Sequence, residues 1–149
     1  MMRAARLGGL ALLAALAAAP ARALEFRSIT EPGTVMYDAP SLKARPLFVI
    51  ARGTPVEVVV STEAWVKVRD AAGDIAWVER RALAEKRMLI VLAKGAEVRK
   101  EAEAAAPLVF EAERDVLLEW VEAGPAGWVR VRHADGQSGF VRVNQVWGL

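Results

Sequence analysis

Apolar and polar residues alternate along two related stretches of the chain. Val66 and Val68 are interleaved with Trp65, Lys67 and Arg69, and Val129 and Val131 with Trp128, Arg130 and Arg132. A period of two with β-branched residues on one parity predicts strands. The valines should face a core, and the Trp-Lys-Arg and Trp-Arg-Arg rows should face outward. Val56, Val58 and Val60 alternate with Glu57 and Val59 and predict a further strand. Turn residues punctuate these runs at Arg52-Gly53, Ala72-Gly73, Gly124-Pro125 and Asp135-Gly136. Asp-Gly between alternating strands predicts a type I′ turn with positive φ at both central positions. Residues 100–105 (KEAEAA) have helical composition but are too short for a stable helix, so they read as a loop or a single turn. Short strands at close spacing predict a small barrel or sandwich.

The pattern occurs twice. Residues 64–83 lie over residues 127–146 with seven identities: Trp65/Trp128, Val66/Val129, Val68/Val131, Arg69/Arg132, Ala71/Ala134, Gly73/Gly136 and Val78/Val141. Unrelated segments would share about one or two. At the same offset the match extends upstream to Val35/Val98. Residues 47–60 need a shift to pair with 108–118, because the second copy has a longer loop before its Gly-Trp. Self-similarity of this period means two copies of one small domain.

The N-terminus differs from the rest. Arg3 and Arg6 precede an uncharged apolar run over residues 7–19, then Pro20 and Ala21-Arg22-Ala23. These are the three parts of a secretory signal peptide, and the run is shorter than the ~20 residues of a spanning helix. Cleavage after Ala23 is expected, giving a signal peptide over 1–23, a first domain over 24–84 and a second over 85–149. It removes three arginines and leaves 17 Lys and Arg against 18 Asp and Glu. Such a chain lacks the electrostatic footprint of a nucleic-acid binder, and no stable membrane insertion is expected after cleavage. The protein is expected in the periplasm or outside the cell.

Between the copies, residues 84–87 contain no Gly, Ser or Pro, unlike a flexible linker. Met88-Leu89-Ile90-Val91-Leu92 then forms an unbroken apolar run. A half-exposed strand would carry a polar residue at about every second position. The run therefore predicts a strand buried on both faces between two barrels in one rigid body.

The chain has no Cys and one His, which excludes disulfides, thiol nucleophiles, a lipidated N-terminal cysteine and multi-histidine metal centres. No metal and no cofactor is expected. His133, Asp135 and Ser138 are the one set that could be drawn as a hydrolytic triad, but a solvated hairpin tip offers neither convergent directions nor a supporting shell. The chain reads as a non-enzyme. The aromatic residues carry more information. By parity, Trp65 and Trp128 sit on outer faces beside two cations each, where an Arg plane can stack on the indole. They form a recognition surface or plug the barrel ends. Trp77 and Phe140 are expected to pack in the core. Trp147 either closes the second barrel or adds an exposed edge.

The order of these features resembles bacterial SH3 domains. VMYDAP (35–40), Gly53, PVEVVV (55–60), AWVKVR (64–69), Gly73, AWV (76–78) and Leu83 follow the family's succession of strands and turns. AEVRKEA (96–102), VFEAE (109–113), DVLL (115–118), GWVRVR (127–132), Asp135-Gly136, GFV (139–141) and Val146 repeat it. Ala64 and Ala76 stand where the family has Gly before Trp. The resemblance implies an all-β fold of two SH3-like barrels in tandem. It also implies a non-catalytic cell-envelope module that binds peptidoglycan peptides or an envelope protein. The alternative is an accessory subunit of an envelope complex with no small ligand. Tyr37, the only Tyr, is expected on the first strand, where SH3-like domains place ligand-contacting aromatics. The candidate binding set is thus Tyr37, Trp65, Arg69, Trp77, Trp128, Arg130, Arg132 and Phe140.

Overall fold

The computed structural model describes residues 22–92 and 95–149. Of the signal peptide expected over 1–23, residues 1–21 lie outside the described residues. Two seven-stranded antiparallel sheets follow one another. The first contains β1 (Phe26–Ile29), β2 (Thr34–Tyr37), β3 (Pro46–Ile50), β4 (Pro55–Ser61), β5 (Trp65–Arg69), β6 (Ile75–Glu79) and β7 (Leu83–Ala84). The second contains β8 (Met88–Val91), β9 (Ala96–Arg99), β10 (Leu108–Ala112), β11 (Leu117–Ala123), β12 (Trp128–Arg132), β13 (Ser138–Arg142) and β14 (Val146–Trp147). Their strand orders are β3-β2-β6-β5-β4-β1-β7 and β10-β9-β13-β12-β11-β8-β14, the same path taken twice. Each sheet curls around its own core but ends on two edges, so the barrels are open. A short 3₁₀ turn precedes the last strand of each, over Arg80–Ala82 and Val143–Gln145.

The alternating valines fill the cores. Val66, Val68, Val129 and Val131 are at most 2% exposed. Ile29, Met36, Val56 and Val78 complete the first core, and Leu89, Val91, Val98, Leu118 and Val141 the second. The longer loop before Trp128 is present, at residues 124–127. Upstream of it the copies align one residue differently from the expectation. Met36, not Val35, occupies the place of Val98, and both are buried while Val35 faces outward. A slip of one residue in a strand moves a side chain to the opposite face, which explains why the Val/Val identity misleads.

The hairpin turns also differ from the expectation. Gly136 N–H donates to His133 O at 2.9 Å, and His133 N–H to Gln137 O at 2.8 Å. Gly136 has φ +94°, whereas Asp135 is not among the positive-φ residues. This is a type I turn followed by a left-handed glycine, a three-residue loop that an Asp-Gly pair also suits. Asp70 to Asp74 make the same turn around Gly73. Residues 100–106 form a loop containing one turn.

The repeats meet through β1, β4 and the β3–β4 turn of the first and β8, β11 and β14 of the second. Arg27 lies opposite the core residue Val56, so Phe26 and Ser28 point out of the first core. Both are nonetheless buried. Phe26 meets the edge of Trp147 at 5.0 Å, so Trp147 neither caps its own barrel nor stands free. From the second repeat, Met88 and Leu117 approach the β3–β4 turn at Gly53, and Gly148 approaches Pro55. The connecting residues are tied down. Lys86 pairs with Glu119 at 3.4 Å, and Arg87 stacks on Trp120 at 5.3 Å and donates to Gly148 O at 3.1 Å. The 88–92 run is therefore less buried than its composition implied. Leu89 and Val91 are in the core, Met88 and Ile90 are half-buried, and Leu92 is 42% exposed. Its strand keeps the usual alternation, with the first repeat covering part of the outer face.

Candidate functional site

Strand register builds an aromatic face on the first repeat. Tyr37 pairs with Trp77, Trp77 with Lys67, and Glu79 with Trp65. These residues all point away from Ala76 and Val78, which are buried. The Tyr37 ring stands edge-on to Trp65 at 5.6 Å with an interplanar angle of 86°, the favourable T-shaped arrangement. Trp65 is set by the turn before it. Its N–H donates to Thr62 Oγ1 at 3.2 Å, and that hydroxyl donates back to Trp65 O at 2.9 Å. Arg80 Nε donates to Thr62 O and Glu63 O and holds the turn in place.

Tyr37 also lines a cleft of about 370 Å³ with Pro32, Val35, Leu42, Glu79 and Arg81. One wall is the loop from Asp38 to Arg45, closed by Asp38 N–H donating to Arg45 O and Arg45 N–H donating to Asp38 Oδ1. The other carries Arg81, which grips both oxygens of Glu79 at 3.1 and 3.0 Å. The hydrogen bond to Glu79, and then its charge, push the Arg81 pKa up. Beyond the cleft, Leu47 and Val49 extend the apolar surface to the sheet edge. Indole, phenol, aliphatic and fixed ionic groups thus border one groove. These are the groups that grip a peptide by stacking and by polar contacts.

The second repeat carries a different surface on the same strands. Arg99 stands in the place of Tyr37 and donates to Ala106 O at 2.8 Å and to Glu97, the counterpart of Val35. Glu111 replaces Val49. Arg142, opposite Trp128 in the β12–β13 ladder, stacks on its indole at 4.5 Å. Phe140 lines a separate depression with Lys100, Arg130 and Ser138.

Several expectations are corrected here. Trp77 and Phe140 are half-buried on outer faces rather than in the cores, because Ala76, Val78, Gly139 and Val141 take the inward parity. Trp65 and Trp128 lie on outer faces and do not plug the barrels. The cation beside each indole is not the one expected. Lys67 sits 5.9 Å from Trp77, while Arg69 pairs with Glu57 and Arg130 with Glu122, both at 3.1 Å. Tyr37 is on the second strand, not the first. Arg132 lies apart from the aromatic groups, in a cleft between the repeats. Of the triad drawn from sequence, His133 Nδ1 lies 3.1 Å from Asp135 Oδ1. Ser138, however, faces the Phe140 depression, whereas His133 lines the inter-repeat cleft. Asp135 serves the turn. The Gln137 N–H and then its side-chain amide hold the carboxyl below the usual range, with a smaller contribution from His133.

Leu42, Glu79, Arg81 and Arg142 escaped the sequence reading. Arg142 and Glu79 were findable, since equivalent three-residue hairpin loops set them opposite Trp128 and Trp65. Leu42 and Arg81 lie outside the alternating strands, in the Asp38–Arg45 loop and the 3₁₀ turn, and leave no periodic signal.

The bacterial SH3 domain family matches residues 30–85 and again 93–148. No curated protein matches the chain. The similar solved structures include three at 14% identity. NlpC2 from Trichomonas vaginalis has a TM-score of 0.38, covering 84% of this chain and 48% of that one. NlpC1 from the same organism has a TM-score of 0.37, covering 93% and 51%. An NlpC/P60 family protein from Bacillus cereus ATCC 10987 has a TM-score of 0.38, covering 83% and 56%. The chain spans about half the length of each. The family match takes in both repeats and most of the sequence, and the chain belongs to the bacterial SH3 domain family, with two domains in tandem.

Proposed function

We propose that the protein is a non-catalytic binding module of the cell envelope. It recognises a peptide of the peptidoglycan, or an envelope protein, through the outer face of its first repeat. The observation that carries this reading is the Tyr37–Trp65 edge-to-face pair on the rim of the Glu79–Arg81 cleft. Paired aromatics give large contact area at low entropic cost, and the fixed ion pair offers a donor and an acceptor to a peptide backbone. Of the candidate residues, Tyr37, Trp65 and Trp77 form this surface. Arg69 and Arg130 are engaged by glutamates, and Trp128 and Phe140 belong to a charged face. The sequence of residues 1–23 supports export, with the mature protein starting at Leu24 and working in the periplasm or outside the cell. Co-sedimentation with purified peptidoglycan tests the proposal, with and without competing envelope protein extract. Retention on peptidoglycan that extract does not displace points to the polymer, and loss on adding extract points to a protein partner. No retention on peptidoglycan, together with no envelope protein captured from the extract by the immobilised chain, would overturn the reading.

A further inference from the structure

We infer that the cleft between the two repeats is a carboxylate-binding site, separate from the aromatic face. The cleft has a volume of about 410 Å³. Met88 and Leu117 give it an apolar floor, and Arg52 enters from the first repeat and Arg132 from the second. The duplication supplies the comparison. Arg69, the counterpart of Arg132, is held by Glu57 across the strand pair at 3.1 Å. The equivalent acid in the second repeat, Glu119, stands opposite Arg132 but is engaged by Lys86 of the connector at 3.4 Å. The counterpart of Arg52 is Arg114, which has Asp115 beside it at 3.9 Å. In the first repeat that neighbour is Gly53, in the same left-handed conformation but with no carboxylate. Arg52 thus lacks the acid that its duplicate keeps, the acid opposite Arg132 lines the cleft but is paired with Lys86, and among the described residues neither arginine makes an ion pair. Thr30 adds a buried hydroxyl without a partner in the same wall.

Two guanidinium groups lining one cleft, one from each repeat, beside an apolar floor suit a carboxylate that carries an adjacent aliphatic side chain, as at a peptide C-terminus. The Lys86–Glu119 pair keeps the site open by engaging the acid that stands opposite Arg132.

The test is a titration of the ¹⁵N-labelled full chain with acetyl-Ala-Leu bearing a free carboxylate, and with the same dipeptide amidated. The free acid should shift the amides of Arg52, Gly53, Met88, Leu117 and Arg132. The amide should bind about tenfold more weakly or worse. Arg52→Gln and Arg132→Gln should each weaken the acid about tenfold. Lys86→Gln should also weaken it, by releasing Glu119 to Arg132, and adding Glu119→Gln should restore it. Trp65→Ala should leave it unchanged, so the site stands or falls independently of the aromatic face. Equal binding of acid and amide, unchanged affinity in both arginine variants, or shifts confined to the Tyr37 face would overturn the assignment. The acid–amide comparison uses no variant and holds even if one fails to fold.

Discussion

Gly148 and Gly136 both need a left-handed backbone, with φ of +118° and +94°. They differ in surroundings. A Cβ on Gly136 meets open space, but one on Gly148 would lie 2.6 Å from Met88 O and 3.3 Å from Pro55 Cβ of the other repeat. Gly136→Ala should therefore cost only the conformational penalty, about 1–2 kcal/mol. Gly148→Ala should cost more, because a backbone carbonyl must move and the contact between repeats must loosen. Urea denaturation of the two variants side by side checks this, and an equal loss would contradict the docking described. The same scale shows why some residues were legible and others were not. Val131 announces its inward face by alternation alone. Trp77 does not, since a large aromatic next to small residues reads as core until Ala76 and Val78 are seen to take that parity.

Among the elements, β5 and β12 carry the most information, because each alternates cleanly and pairs on both sides. Burying a valine contributes roughly 1.5–3 kcal/mol, and an unpaired carboxylate in its place adds a larger desolvation penalty. Whole domains are stable by only ~5–15 kcal/mol. Val68→Asp and Val131→Asp should each unfold the repeat that carries them, whereas Lys67→Asp on the outer face should leave circular dichroism and solubility unchanged. A folded Val131→Asp protein would contradict the observed parity. Strand existence was readable at this scale, but register was not. One extra residue in the loop before Trp128 shifts every upstream equivalence, and Asp-Gly alone does not choose between two hairpin turns. The apolar run at 88–92 correctly marked a strand at the junction. It overstated the burial, because alternate residues need only half-cover from the neighbouring repeat.

The two repeats share a topology and differ in what they present. One outer face holds Tyr37, Trp65 and Trp77, and the other holds Arg99, Glu97, Arg142 and Glu111 on the matching strands. The tandem duplication was visible in the sequence. This divergence was partly hidden, because the conserved Trp65/Trp128 identity masks the change around it. Phe26 and Trp147 join the repeats, and the connector is tied to the second. Differential scanning calorimetry should show a single transition for the tandem, with repeats separated at Glu85 each less stable than in the whole. Two transitions at the temperatures of the isolated repeats would refute the coupling. The central claim is that recognition belongs to the first repeat's aromatic face. Co-sedimentation of the wild type, Trp65→Ala and Trp128→Ala with purified peptidoglycan and with envelope protein extract tests it most directly. The account predicts that Trp65→Ala loses retention by about tenfold or more, as for a hot-spot indole, while Trp128→Ala is retained like the wild type. Loss in Trp128→Ala with retention in Trp65→Ala would contradict it.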